Sequence, residues 1–464
     1  MKWGNGQTGH TAGTALTSAE VAALPAKTAD RAAINTYLGS LTMATSTSYT
    51  TSAPGNGSYV FENIPAGWYV VKEVTETEGQ DDFTSAFMVE VVGDATANPK
   101  GSKTTVEKKV NDINDSTGEA LTKKDSADHD IGDTITYTLT ATLGNDLTDY
   151  QTYKLVFTDN LSKGLTYKEL VSLKINGTDK SIDSVSVADG AYNGGSAAYT
   201  DGTVKTFTIA DVLALGAAPG NTVEITYTCT LNENAVIGSA GNPNKVYLEY
   251  SNNPATDKLG KTEEDVNKVF TYKAIFDKYT TENEVMKHLS GAEFVLYKVK
   301  SDMSDADIAA ITGSSNVDGT NILKKYTATK SAGQYEGEAE AVANSVFTFN
   351  GLDDGTYILV ESVTPTGYNT IANQKYVVTA THDLDKADPE LLTLTGNTQS
   401  GVIDSTGTAK ADGTNTNTAD IANQKGAELP ETGGIGTIIF YVLGSLLVVG
   451  CGIVLISKRR MESR

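Results

Sequence analysis

Apolar side chains recur at every second position through most of this chain, and that period limits the fold more than any other feature. Ile135, Tyr137 and Leu139 repeat in this way, as do Val223, Ile225 and Tyr227, the signature of strands with one face on a core. Turn-forming text such as Gly144-Asn145-Asp146 and Asn176-Gly177 separates the runs. Short alternating strands punctuated like this predict β-sandwiches, and 464 residues suffice for about three of them. The chain has 22 Tyr but only 6 Met and 2 Trp, a balance that also favours strands.

The fold class is therefore all-β: three tandem immunoglobulin-like β-sandwich domains, the first truncated at its N-terminus, followed by one C-terminal transmembrane helix. Residues 1–101 read as the partial domain. Thr17 and Glu20 have capping-box spacing before a short helix that Pro25 ends. A second short helix is expected over 29–38, strands begin after Gly57, and Phe87–Val92 is the last strand. Residues 102–260 form the middle sandwich. The polar stretch Pro254–Lys268, with Glu263-Glu264-Asp265, reads as a linker. Residues 268–426 form the third sandwich, with a short helix over 304–312 opened by Ser304 and Asp307, and a last strand at 420–425. Phe61–Glu73 (FENIPAGWYVVKE) aligns without gaps with Phe349–Glu361 (FNGLDDGTYILVE), so the first and third domains share a turn-plus-strand unit.

The tail, 427–464, is of another kind. Leu429-Pro430-Glu431-Thr432-Gly433 precedes an uncharged apolar run over 435–457 and then Lys458-Arg459-Arg460. The run is long enough for a bilayer core, which takes ~20 residues as a helix, and the basic end marks the cytoplasmic side. Everything before Leu429 then lies outside the cell. The opening Met1-Lys2-Trp3-Gly4-Asn5-Gly6 carries no basic-then-apolar leader, which predicts that the reading frame extends upstream to a signal peptide and a first strand.

Charge and cysteine content exclude several functions. The net charge of −22 argues against nucleic-acid binding and suits a soluble, self-repelling exterior. Of two cysteines, Cys451 lies in the apolar run and Cys229 in a strand, so no disulfide can form within the exterior part. His10, His129, His288 and His382 are scattered without ligand spacing, and no nucleophile motif stands out. We expect no cofactor, no metal and no turnover chemistry. The acidic run Asp125–Asp133 (DSADHDIGD) could hold a cation, but it lacks EF-hand spacing and reads rather as a solvated turn.

The strand phases hold an anomaly. Tyr357, Leu359 and Glu361 share one face, as do Phe276 and Lys278, and Ile421 and Asn423. A lysine, an acid and an asparagine thus face one core. The middle domain repeats the set: Lys108 with Val106 and Val110, Asp159 with Leu155 and Phe157, Asn252 with Val246, Leu248 and Tyr250. Strand phase favours Lys108 over Lys109 without deciding between them. Buried lysine loses its proton more readily and buried acid holds one. Asp159 and Glu361 could then promote attack of Lys108 on Asn252 and of Lys278 on Asn423, releasing ammonia and leaving an isopeptide from first strand to last. Such a reaction runs once, and it would replace the missing disulfide.

These residues resemble those of the major (backbone) pilins of Gram-positive sortase-assembled pili, over nearly the whole chain. Tyr357–Tyr368 (YILVESVTPTGY) resembles the family's E-box, with Ser362 where Thr is usual and Thr364 where Ala is usual; Glu361 is its acid. Leu289-Ser290-Gly291-Ala292-Glu293-Phe294 resembles second-strand text of collagen-adhesin B-type domains. Gly132–Tyr137 and Phe157-Thr158-Asp159-Asn160-Leu161 resemble the fimbrial isopeptide-forming domain, and Lys2–Gly6 resembles text inside the family's first domain.

The tail is similar to a cell-wall sorting signal. The resemblance implies sortase cleavage after Thr432, with Leu429, Pro430, Glu431 and Gly433 completing the recognition text. It implies an acceptor lysine on the next subunit. Lys100, in Asn98-Pro99-Lys100-Gly101, stands in that place, although Asn98 replaces the usual Tyr and Gly101 the usual Asn, and Lys103 is the near rival. The implied partners are pilin-class and housekeeping sortases, further copies of the chain, accessory pilins, peptidoglycan and a host surface ligand, at a wall-attached surface pilus. The alternative is a wall-anchored adhesin or accessory pilin stalk that never polymerises; only Lys100 and the match of all three domains separate the two.

Overall fold

The computed structural model describes residues 9–11, 14–23, 32–33, 37, 51–52, 59–72, 86–94, 103–190, 202–254, 257–335, 337–397 and 419–425. Lys100, Glu73, the Leu429–Gly433 motif, the apolar run over 435–457 and most of the helix expected at 29–38 lie outside these residues.

Near the N-terminus, helix α1 (Ser18–Ala23) opens with the expected capping box. Thr17 N–H donates to Glu20 Oε2 at 2.7 Å, and Glu20 N–H donates to Thr17 Oγ1 at 3.3 Å. Strand β1 (Thr51–Ser52) pairs with β2 (Val60–Phe61), and β3 (Gly67–Lys72) with β4 (Ala86–Val91). The internal repeat extends to geometry. Tyr69 Oη donates to Pro65 O at 2.6 Å and its counterpart Tyr357 Oη to Asp353 O at 3.0 Å, while Asn63 and Gly351 both take positive φ at the matching turn.

The next unit has thirteen strands: β5 (Thr105–Ile113), β6 (Ala120–Lys124), β7 (Ser126–Asp128), β8 (Thr134–Thr142), β9 (Leu155–Leu161), β10 (Leu165–Ile175), β11 (Thr178–Lys180), β12 (Ser186–Gly190), β13 (Thr203–Ile209), β14 (Thr222–Leu231), β15 (Asn242–Ser251), β16 (Leu259–Lys261) and β17 (Asp265–Phe270). One sheet runs β11-β10-β14-β8-β5-β6, the other β12-β13-β9-β15-β17-β7 with β16 beside β15. The alternating residues meet between them: Ile135, Tyr137, Leu139, Phe157, Phe207, Val223, Ile225, Tyr227, Val246 and Leu248 are all fully buried, each large apolar side chain stabilising by about 1.5–3 kcal/mol.

Pro254–Lys268 is not a linker. It contributes β16 and most of β17, and its polarity has local uses. Lys108 N–H donates to Asp265 Oδ2 at 2.7 Å, and Asn267 Nδ2 donates to the carbonyls of Lys108 and Asp125, 3.1 Å each. The polar residues hold β17 against β5.

A single residue, Thr271, separates β17 from the following sandwich. Its strands are β18 (Tyr272–Glu282), β19 (Val285–His288), β20 (Glu293–Val299), β21 (Ile322–Thr327), β22 (Thr329–Gly333), β23 (Val342–Leu352), β24 (Gly355–Val363), β25 (Gln374–His382), β26 (Leu391–Asn397) and β27 (Ala419–Ala422). The sheets run β19-β18-β23-β22, with β27 parallel to β18, and β21-β20-β24-β25-β26. Phe276, Phe294, Leu296, Phe347, Phe349, Tyr357 and Leu359 fill the gap. Helix α2 (Asp305–Ala310), capped by Ser304 Oγ on Asp307 N–H at 3.2 Å, brings Ile308 onto a second cluster with Tyr297, Val299, Ile358 and Val360.

The two sandwiches are fastened at Thr271, whose hydroxyl donates to Leu352 O at 3.1 Å and whose carbonyl accepts from Gly238 N–H at 2.8 Å. The acidic run Asp125–Asp133 is here, and it is no solvated turn: Asp125, Ser126, Asp128, His129 and Asp130 are buried. Ile131 N–H donates to Gly351 O at 3.1 Å, and a Cβ on Gly351 would come within 2.7 Å of Ile131. Nothing within the run itself signals this burial, because the neutralising cations sit far along the chain. Lys298 Nζ contacts Asp353, Asp130 Oδ2 at 3.0 Å and Asp115 Oδ2 at 3.1 Å, and Lys324 Nζ contacts Asp133 Oδ1 at 2.9 Å. Tyr326 Oη donates to Asp130 Oδ1 at 2.5 Å.

Candidate functional site

In the last sandwich the period of two carries Lys278 on β18 and Glu361 on β24 inward beside Phe276 and Leu359. Both side chains are wholly buried. Parallel pairing sets Ile421 of β27 opposite Lys278, and Asn423 N–H donates to Tyr279 O at 2.9 Å, which fixes the residue beyond the strand. Lys278 Nζ is 2.5 Å from Asn423 Oδ1 and 3.2 Å from Glu361 Oε1. Asn423 Nδ2 donates to the same Oε1 at 3.1 Å. The other carboxylate oxygen takes Ile371 N–H at 3.0 Å and the Thr364 hydroxyl at 3.2 Å, so the carboxylate cannot turn away. Phe294 lies 5.1 Å from Nζ. Burial pushes the Lys278 amine below the ordinary lysine range, with Glu361 opposing. One carboxylate oxygen thus touches both the nitrogen that must lose a proton and the nitrogen that must leave in amide exchange.

The middle sandwich builds a related cluster across its two sheets. Lys108, fully buried on β5, donates to Asp159 of β9 and to Tyr227 Oη of β14 at 2.7 Å. Tyr227 Oη donates to Asp159 Oδ2 at 2.5 Å and accepts from Asn244 Nδ2 at 3.0 Å. The rings of Tyr137 and Tyr227 lie 4.8 and 5.2 Å from Nζ. Burial lowers the Lys108 pKa against the pull of Asp159. Burial, then Asp159, holds the Tyr227 phenol far above its usual range, so it stays a proton donor. Lys109 points elsewhere, to Asp125 at 2.6 Å and Glu107 at 3.2 Å.

Asn252 does not join this cluster. On β15 the partner of Asp159 is Val246, and Tyr250 already pairs with Leu155. Asn252 lies six residues past Val246, about 20 Å along a strand, against Gly260 of β16. Asn244 sits on the same strand face two residues to the other side and joins the cluster through Tyr227 Oη, while Asn267 of β17 donates to the carbonyl of Lys108. Parity identified the face correctly but not the position along it. Tyr227 was also visible as an inward hydroxyl on the Val223-Ile225-Tyr227 face, since a buried tyrosine needs a polar partner.

Comparison with known proteins places this geometry. Residues 131–254 match the family described as Gram-positive pilin backbone subunit 2, Cna-B-like domain; 278–390 match the SpaA prealbumin-like fold domain; 421–463 match the LPXTG cell wall anchor motif. The trypsin-resistant surface T6 protein of Streptococcus pyogenes serotype M6 is 27% identical over 408 residues, covering 79% of this chain and 70% of the relative. Among solved structures, the T6 backbone pilin of S. pyogenes serotype M6 aligns with a TM-score of 0.48 at 18% identity, covering 86% of this chain and 87% of that one. The full-length major pilin SpaD of Corynebacterium diphtheriae aligns with a TM-score of 0.45 at 21% identity, covering 80% and 82%.

Proposed function

The chain is a Gram-positive pilin, a structural backbone subunit of a surface pilus attached to the cell wall, and from that premise we propose how its bonds are made. Within each subunit Lys278 joins Asn423, and Lys108 joins Asn244. Between subunits, sortase cleaves after Thr432 and transfers that acyl group to Lys100 of the next copy; a housekeeping sortase finally passes the chain to a peptidoglycan amine. Accessory pilins and a host surface ligand complete the partners.

The observation that carries the internal bonds is the double contact of Glu361 Oε1. Lys278 gives its proton to Glu361, and the neutral amine attacks Asn423 Cγ. Glu361 returns the proton to Nδ2, ammonia leaves as the new C–N bond replaces the old one, and the extra proton on the attacking nitrogen passes to Glu361 and on to the departing ammonia. Nothing is oxidised, and one carboxylate serves as base and then acid. In the middle sandwich Asp159 has the same part, with the Tyr227 hydroxyl between it and Asn244. Asn267, whose Nδ2 donates to the carbonyls of Lys108 and Asp125, is the rival acceptor in the same core, and Asn267→Ala is the matching control. Lys100 is supported by its place in the sequence, bracketed by Pro99 and Gly101 between β4 and β5, where an interdomain junction is expected to be exposed.

The test is made in cells carrying the full-length chain and its sortase. Wild type should give a ladder of multimers resistant to boiling in detergent, and each released subunit should lack two ammonias. Lys100→Ala should reduce the ladder to wall-bound monomer while Lys103→Ala leaves it unchanged. Asn244→Ala should restore one ammonia and Asn252→Ala none. A ladder that survives Lys100→Ala, or an Asn244→Ala subunit still lacking both ammonias, refutes the corresponding assignment.

A further inference from the structure

A second acidic group lies at the junction of the sandwiches. Asp112 stands near the end of β5, Asp128 ends β7 and His382 ends β25; one ligating atom from each lies within 4.8 Å of the others, and all are buried. The neighbouring group of Asp115, Asp130, Asp133 and Asp353 is neutralised by Lys298 and Lys324. Among the described residues no lysine or arginine forms an ion pair with Asp112 or Asp128; the two acids face each other and His382, whose Nε2 is 3.8 Å from Asp112 Oδ2 and 3.5 Å from Asp128 Oδ1, and His129 also lies near Asp128.

Those separations exceed an N–H···O hydrogen bond, but they are near the spacing of two donors around a shared ion bound at ~2.0–2.2 Å. The far side of the imidazole fixes its tautomer. Ser126 Oγ donates its one proton to Asp383 O, so in its 2.6 Å contact with His382 Nδ1 the ring N–H is the donor. In the neutral ring Nε2 is then the lone-pair nitrogen, beside two carboxylates, with its opposite N–H held as in metal-ligating histidines. The hydroxyl of Tyr272 is wholly buried against Asp128 and has no other partner among the described residues. A third acid, Asp354, donates its backbone N–H to Asp128 Oδ2 at 3.2 Å and accepts from Asn114 Nδ2 at 2.7 Å. Two buried carboxyl groups this close repel unless a proton or a metal cation lies between them.

We propose that Asp112, Asp128 and His382 form a site for one divalent first-row transition ion that ties the two sandwiches together, with an open position beside the Tyr272 hydroxyl. One imidazole and two carboxylates suit Zn²⁺ or Mn²⁺ better than Ca²⁺ or Mg²⁺, which take oxygen ligands in larger number. Two ligands come from one sandwich and the third from the other, so the ion stabilises the junction as well as its own surroundings.

The full-length chain, in detergent and stripped by chelator, is titrated calorimetrically at neutral pH with ZnCl₂ and separately with MnCl₂. One ion per chain should bind, and the melting temperature should rise with ion concentration. His382→Ala and Asp112→Asn should weaken binding on the order of 10–100-fold or more, while His10→Ala leaves it unchanged. Wild-type chain loaded with Co²⁺ gives a reading that needs no variant: its visible spectrum should show nitrogen ligation. Absence of saturable binding, equal binding by both ligand variants, or a Co²⁺ spectrum like that of the aqueous ion would each overturn the site.

Discussion

Replacing Glu361 by Gln tests the chemistry with little change of shape. The carboxamide has nearly the volume of the carboxylate and can still accept from Ile371 N–H, but it cannot take a proton from Lys278. Lys278 and Asn423 are 145 positions apart. The chain-entropy relation for a covalent cross-link closing a loop of that size gives about 5 kcal/mol at 25 °C. At ~2–4 °C per kcal/mol for a domain of this size, the last sandwich should melt roughly 10–20 °C lower. Calorimetry of the full chain reads the temperature, and intact mass reads the ammonia retained in the variant. If Glu361→Gln lacks the same two ammonias as wild type, the carboxylate is not the proton carrier. If the ammonia is retained but melting is unchanged, the cross-link is not what stabilises the domain.

Lys298→Met leaves Asp130 and Asp353 buried without their cation; breaking a buried pair in this way costs about 3–5 kcal/mol, and a urea midpoint shift equivalent to less than ~1 kcal/mol would refute the interface description. His288, stacked on Tyr335 at 3.8 Å, has its pKa lowered by burial but raised on balance by Asp277 and Glu338, the latter at 2.9 Å; Asp420 also lies nearby. A folded pKa above the unfolded one contributes stability below the unfolded value, ~6.5, that is lost as pH rises through the folded value. The melting difference between wild type and His288→Gln should therefore shrink from pH 5 toward alkaline pH, and a difference independent of pH would contradict this coupling.

The sequence showed a great deal, for a definite reason. Strand period assigns a side chain to a face without knowledge of any partner, so Lys278, Glu361 and Asn423 were legible as inward residues, and the structure brings them into contact. Period says nothing about position along the strand. Asn244 and Asn252 share a face, and only the register of β15 against β9, set by Val246 opposite Asp159, distinguishes them. Polarity misled in two places because partners distant in sequence decide its meaning. Asp125–Asp133 reads as solvated until Lys298 and Lys324 arrive from the next sandwich, and Pro254–Lys268 reads as a linker until Asp265 and Asn267 meet the backbone of Lys108. The capping boxes at Thr17 and Ser304 were legible because their partners are three residues away.

The one-residue junction at Thr271 has a mechanical consequence once Lys278 and Asn423 are joined. The 145 positions between them represent roughly 500 Å of extended chain. Tension arriving from the C-terminal side would cross at Asn423 to Lys278 and reach Thr271 along the first strand, bypassing that length entirely. The last sandwich then behaves as an inextensible link with no slack to release, and the bypassed residues, helix α2 among them, are mechanically idle. Their outer surface can change from strain to strain without altering the force the pilus withstands.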